Sequence, residues 1–166
     1  YKLPSVESDV TGGSDLSRYL ANYQSEVDGA ALYRAMAEGE PKAELAELYR
    51  RLAAVEQTHA DFWKRRIERL GAPLPESRPG WRTRLLIAAS RRFGAPAVLP
   101  LVADDEARSR AIYDTQGETA TTSMPAEERS HARMLSLLAS RSTASWNGPL
   151  YSRLEGRHGA GSANNL

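Results

Sequence analysis

Two short pairings of an acid with an imidazole carry the chemical interest of this chain, Glu56-Gln-Thr-His59 and Glu128-Arg-Ser-His131. Three residues of α-helix turn by about 300°, so the two side chains of each pairing share a face about one turn apart and can grip the same ion. Carboxylate oxygen and imidazole nitrogen together suit a hard or borderline divalent cation better than a thiolate-seeking one. One Glu-x-x-His is a weak signal. Two of them, each set in a helical stripe, are much harder to obtain by accident. A third copy, Glu155-Gly-Arg-His158, sits among glycines with no helical stripe around it. It is read as coincidence, because a flexible backbone gives a metal no fixed geometry.

The stripes themselves come next. In Leu45–Leu70 the apolar residues Leu45, Leu48, Tyr49, Leu52, Val55, Phe62 and Ile67 recur every three or four positions, and Glu56 and His59 fall inside that series. Around the second pairing the series is Met124, Glu128, His131, Met134 or Leu135, and Leu138, on a helix expected over residues 125–140. Burying a carboxylate and an imidazole among such residues costs several kcal/mol unless something compensates them. A metal ion is the natural compensation.

Two more acids join from neighbouring helices. Ser14 is a good N-cap for a first helix running to about Ala37, whose inward series Leu16, Tyr19, Leu20, Tyr23, Val27 and Ala30 encloses Glu26. Gly29, Ala30 and Ala31 would let a neighbouring helix approach closely. The break at Gly39-Glu40-Pro41 is short enough to force the second helix antiparallel to the first. Pro41 stands midway between Glu26 and Glu56, which puts the two glutamates at one height. A third helix is expected over residues 97–116, with Leu99, Val102, Glu106, Ser109, Tyr113 and Gln116 inward. Glu106 is preferred as the ligand over Asp105, whose own face carries Arg108, and Asp114 is a further fallback. Gly117 lies midway between Glu106 and Glu128, and residues 118–123 are expected to climb partly in extended form.

With 166 residues the chain has one domain's worth of length, enough for a core without staples. It contains no cysteine, which excludes disulfides and thiolate metal sites and fits a reducing compartment. A net charge of +1, with acids and bases interleaved, gives no support for a nucleic-acid partner. No apolar run is long enough to span a bilayer, and no signal peptide is visible. The opening Tyr1, in place of methionine, is expected of a piece of a longer protein. Residues 1–13, ending in Gly12-Gly13, read as a flexible arm, 14–142 as the bundle, and 143–166 as a tail on which Trp146, Leu150, Tyr151 and Leu154 could pack.

Between helices two and three, Gly71 and the prolines Pro73, Pro75 and Pro79 make a rigid connector, followed by Trp81–Phe93. That stretch reads as a short basic amphipathic helix, with Arg82, Arg84, Arg91 and Arg92 around Leu85, Leu86 and Ile87. It suits an anionic membrane surface, ordinary packing as a crossover helix, or a dimer contact. The expected fold is all-α: a ferritin-like four-helix bundle with a long crossover between helices 2 and 3 carrying this short basic helix.

In order, the chain reads Glu, Glu-x-x-His, crossover, Glu, Glu-x-x-His, which is the ligand arrangement of the di-iron and di-manganese carboxylate bundles. Glu26, Glu56, His59, Glu106, Glu128 and His131 are the expected metal ligands and catalytic residues. Glu56 and Glu128 would bridge two ions, Glu26 and Glu106 would cap one each, and the histidines would complete the set. Open positions could admit dioxygen, peroxide or water. Tyr23, Tyr33 and Tyr113 could carry electrons, though packing is the ordinary role for a bundle tyrosine. Trp63 reads first as core.

The segments RYLANYQSEVDGAALYRAMAE, LYRRLAAVEQTHADFW and EERSHARML resemble the rubrerythrin-like ferritin-like domain at the N-terminus of bacterial membrane proteins of the vacuolar iron transporter family, also called membrane-bound ferritins. The resemblance covers roughly residues 15–142, and the closing Ala-Asn-Asn-Leu is similar to the approach to a first membrane helix. It implies a cytoplasmic domain tethered to the inner face of the membrane, paired as a homodimer. It further implies two iron ions, or manganese, ferroxidase-like oxidation by dioxygen or peroxide, and an attached transporter domain for iron or manganese. Two features depart from the full pattern: the transporter helices are absent, and the cysteine-ligated iron centre of rubrerythrin has no counterpart. The competing expectations are a metal-sensing or metal-delivery domain that regulates transport without turnover, and a structural dimerisation bundle with a vestigial site.

Overall fold

A computed structural model describes residues 7–119 and 121–147. Its five α-helices are α1 (Glu7–Gly39), α2 (Ala43–Arg69), α3 (Trp81–Phe93), α4 (Leu99–Tyr113) and α5 (Met124–Asn147), with a 3-10 turn at Ala95–Ala97 between α3 and α4. There is no strand among the described residues. Among the described residues the protein is all-helical, with four longer helices and a short crossover helix, the element order of a ferritin-like helical bundle. It divides into two compact units, Tyr1–Val98 and Leu99–Leu166.

In the first unit α1 packs on α2 and on α3. The inward series of α1 is Tyr19, Tyr23, Glu26, Ala30, Tyr33 and Ala37, and that of α2 is Ala46, Tyr49, Ala53, Glu56, Ala60, Trp63 and Ile67, all buried. Both alternate between steps of three and four, the repeat that keeps one stripe facing a partner helix. Leu45, Leu48, Val55 and Phe62, expected within the stripe of α2, are only half-buried. The small alanines take the centre instead, since they let the helices close on one another. Trp63 is fully buried, its ring 5.4 Å from Tyr19 and edge-on to Phe62 at 5.0 Å.

Helix α1 already includes residues 7–13, where the sequence suggests a loose arm. A glycine costs a helix only about 1 kcal/mol, so Gly12-Gly13 need not end one. Ser17 Oγ donates to the Gly13 carbonyl at 3.0 Å across that point. Helix α2 ends as its sequence suggests, at a glycine: Gly71, with φ of 68°, donates to Glu68 O at 3.0 Å and Ala72 N donates to Ile67 O at 3.4 Å. Those two bonds close a Schellman motif, which only a residue tolerant of positive φ permits cheaply.

Helix α3 has the bounds expected of it and is pinned to α1 at both ends. Gly80 N donates to Asp28 Oδ1 at 2.7 Å, Gln24 Nε2 donates to the Arg78 carbonyl at 3.0 Å, and Arg91 pairs with Glu38 at 3.2 Å.

In the second unit α4 packs on α5. Leu99, Val102, Ala103, Tyr113, Met124, Ala132 and Leu135 form its apolar core. Residues 118, 119 and 121–123, expected to be partly extended, lie instead in tight turns and bends that begin at residue 114. Thr119 N donates to Gln116 O at 3.2 Å and Thr122 N to Thr119 O at 2.9 Å. The buried Thr119 hydroxyl, within 2.7 Å of the Tyr113 carbonyl and 2.9 Å of that of Gln116, supplies the side-chain contact that favours turning over extension. Helix α5 runs on past the expected end at Ser140 to Asn147. Residues 148–166, which hold Leu150, Tyr151, Leu154 and the Glu155/His158 pairing, lie outside the described residues, as does the side chain of Trp146.

Candidate metal centre

Each unit carries one triad of two glutamates and a histidine. In the first, Glu26 comes from α1 and Glu56 and His59 from consecutive turns of α2; they are 3%, 4% and 2% exposed. One donor atom of each lies within 4.8 Å of the others. His59 Nδ1 stands 3.5 Å from Glu26 Oε2. Two donors each about 2 Å from one ion are at most about 4 Å apart, so this pair is already within the span of a shared cation.

The local reasons are visible in α1 and α2. The 3-4 stripe of α2 turns Glu56 toward α1, and Gly29 leaves room for it: a Cβ at Gly29 would come within 3.2 Å of Glu56 Oε2 and 3.3 Å of its Cγ. The antiparallel hairpin brings Glu26 level with this pair, as its equal distance from the Pro41 turn requires. One turn beyond His59, Trp63 fills the core and braces this length of α2.

In the second unit Glu106 comes from α4 and Glu128 and His131 from α5, all three buried. Their donor atoms also lie within 4.8 Å of one another. The alternatives to Glu106 point elsewhere: exposed Asp105 pairs with Arg108 at 2.6 Å, and Asp114 with Arg129 at 3.0 Å. Arg108 also holds Asp104. Thus the arginine on the face of Asp105 is engaged with acids at the surface, whereas Glu106 sits in the buried row with Val102 and Tyr113. Leu135, rather than Met134, continues the inward row of α5.

Both triads suit the same cargo. Two carboxylates confined at close quarters repel each other in their charged forms, and a divalent cation removes that repulsion while satisfying hard oxygen and borderline nitrogen donors. Tyr23, Tyr33 and Tyr113 are buried side chains of the helix cores. Asn22, one turn before Glu26, is also buried. The sequence offers no warning of it, since a single asparagine among tyrosines has no diagnostic spacing.

Comparison with curated proteins finds no match, and comparison with solved structures finds none. Residues 20–80, the span that contains Glu26, Glu56 and His59, match the family model described as Rubrerythrin.

Proposed function

We propose that the chain is a di-iron ferritin-like domain that binds two ferrous ions, or manganese in their place, and oxidises iron beside a membrane transporter of these metals. The observation that carries the reading is the repetition of one buried donor set, Glu26, Glu56 and His59 in the first unit and Glu106, Glu128 and His131 in the second. The rubrerythrin match over the first set supports it.

In this reading Glu26, Glu56 and His59 would hold one ion, and Glu106, Glu128 and His131 the other. The four carboxylates balance the charge of two divalent cations, which makes their burial tolerable. Tyr23, Ala53 and Ala60, one turn away along the same inward rows, are buried with these ligands. Ferrous iron is the substrate: two ions release two electrons, which with two protons reduce one peroxide to two waters. Pairing of two copies and tethering at the inner face of a membrane rest on the resemblance to membrane-bound ferritins.

Anaerobic titration with Fe(II), with elemental measurement of bound metal, should give two ions per chain. Exposure to peroxide or dioxygen should then produce ferric absorbance rapidly and repeatedly. A stable Fe(II) complex that does not react would replace oxidation by sensing or delivery. Saturation at one ion per chain or fewer would remove the di-metal reading.

A further inference from the structure

Helix α3 is turned the opposite way from an ordinary packed helix. Its buried residues are Thr83 and Ser90, while Trp81, Leu85 and Phe93 are 66%, 62% and 69% exposed. At about 100° per residue, Trp81, Leu85, Ala88 and Arg92 share one sector, Arg84 flanks it on one side and Arg82 and Phe93 on the other, and Thr83 and Ser90 lie opposite. The helix contains four arginines and no acid. Arg91 is engaged by Glu38. The guanidinium of Arg92 lies 5.2 Å above the Phe93 ring.

We propose that this face docks the chain on an anionic lipid bilayer, Trp81, Leu85 and Phe93 entering the headgroup boundary and Arg82, Arg84 and Arg92 meeting lipid phosphates. Large aromatic and aliphatic groups flanked by arginines are the composition of a helix that lies in a membrane interface rather than across it. Charge selects the occupant. A second copy would bring the same arginines against its own, whereas an anionic surface is complementary to all of them. A convex helix face about 20 Å long also fits a plane better than it encloses a peptide. The bonds from Asp28, Gln24 and Glu38 fix the helix on α1, so the face is presented ready-made. This inference does not depend on metal occupancy.

The test is flotation of the 166-residue chain with vesicles of phosphatidylcholine alone or mixed with phosphatidylglycerol. Binding is expected on the mixed vesicles, to fall with salt, and to be weak on the neutral ones. Neutralising Arg82, Arg84 or Arg92 to Gln should each lower partition about fivefold, the equivalent of about 1 kcal/mol per basic residue. The triple variant Trp81→Ser, Leu85→Ser, Phe93→Ser should lose binding while keeping its circular dichroism, since none of these side chains is buried. Trp81→Phe should keep binding but lose the part of the fluorescence that brominated lipid quenches. Equal binding to neutral vesicles would overturn the proposal, as would binding unchanged by the serine variant, which would mark a mere polyanion surface. A dimer dissolved by the serine variant, with no vesicle binding, would overturn it in favour of a second copy.

Discussion

The carboxylate of Glu56 rests against the bare backbone of Gly29, so that a methyl group there would meet Glu56 Oε2 at 3.2 Å and Cδ at 3.3 Å. The glycine of α1 thereby sets how the Glu56 side chain of α2 can lie. Gly29→Ala would ordinarily gain a helix about 1 kcal/mol. Here the new methyl must displace the carboxylate by a few tenths of an ångström, so the stability gain should be smaller and metal affinity should fall several-fold. Calorimetric titration of the variant with Mn(II), beside wild type, checks it, and unchanged affinity would show that this contact does not constrain the site.

Glu56→Ala and Glu128→Ala should each abolish binding of a second metal ion. A ligand that binds only the folded state at a hundred times its Kd adds about 2.7 kcal/mol of stability. Saturating Fe(II) or Mn(II) should therefore raise the wild-type Tm, a chelator should reverse the rise, and the double variant should show neither. Equal metal-induced shifts in variant and wild type would exclude these glutamates as ligands.

Trp63, buried without residue and wedged between Tyr19 and Phe62, should be the costliest single truncation in the first unit. Trp63→Ala is expected to lower unfolding free energy by about 3–5 kcal/mol in urea. Because His59 sits one turn away, the same variant should also weaken metal binding even under conditions where it remains folded.

Tyr49 is 1% exposed, and burial, followed by the nearby Glu40 carboxylate, pushes its phenol up to about 12. In the unfolded chain a phenol titrates near 10, at about that pH and above. The folded value is the higher one, so the contribution to stability is complete below about pH 10 and is lost as pH climbs toward about 12. Urea stability of the wild type should fall more steeply across that window than that of Tyr49→Phe. Parallel profiles would show that the phenol is not held neutral by the fold.

Much of this molecule is legible from local repeats. The Glu-x-x-His pairings work because helical rotation alone sets both donors on one face, and the hairpin level of Glu26 and Glu56 follows from counting to the Pro41 turn. The choice of Glu106 over Asp105 needed only the recognition that Arg108 shares the wrong face. The α2 stripe was harder to centre, because alanine scarcely registers as hydrophobic although Ala46, Ala53 and Ala60 are what the close helix approach requires. The turns beyond Gly117, where the sequence suggests partly extended chain, are held by the buried hydroxyl of Thr119 and not by backbone propensity.

The amino-acid order therefore determined the helices, their inward donors and the repeated donor set, since these depend on three- and four-residue spacing within one element. Tertiary structure alone decided that Glu56 lies against Gly29 and that α3 shows its largest apolar side chains to the outside. Both depend on groups distant in sequence, Gly29 against Glu56 and Asp28 against Gly80, and short-range periodicity carries no information about which distant backbone will come close enough to touch.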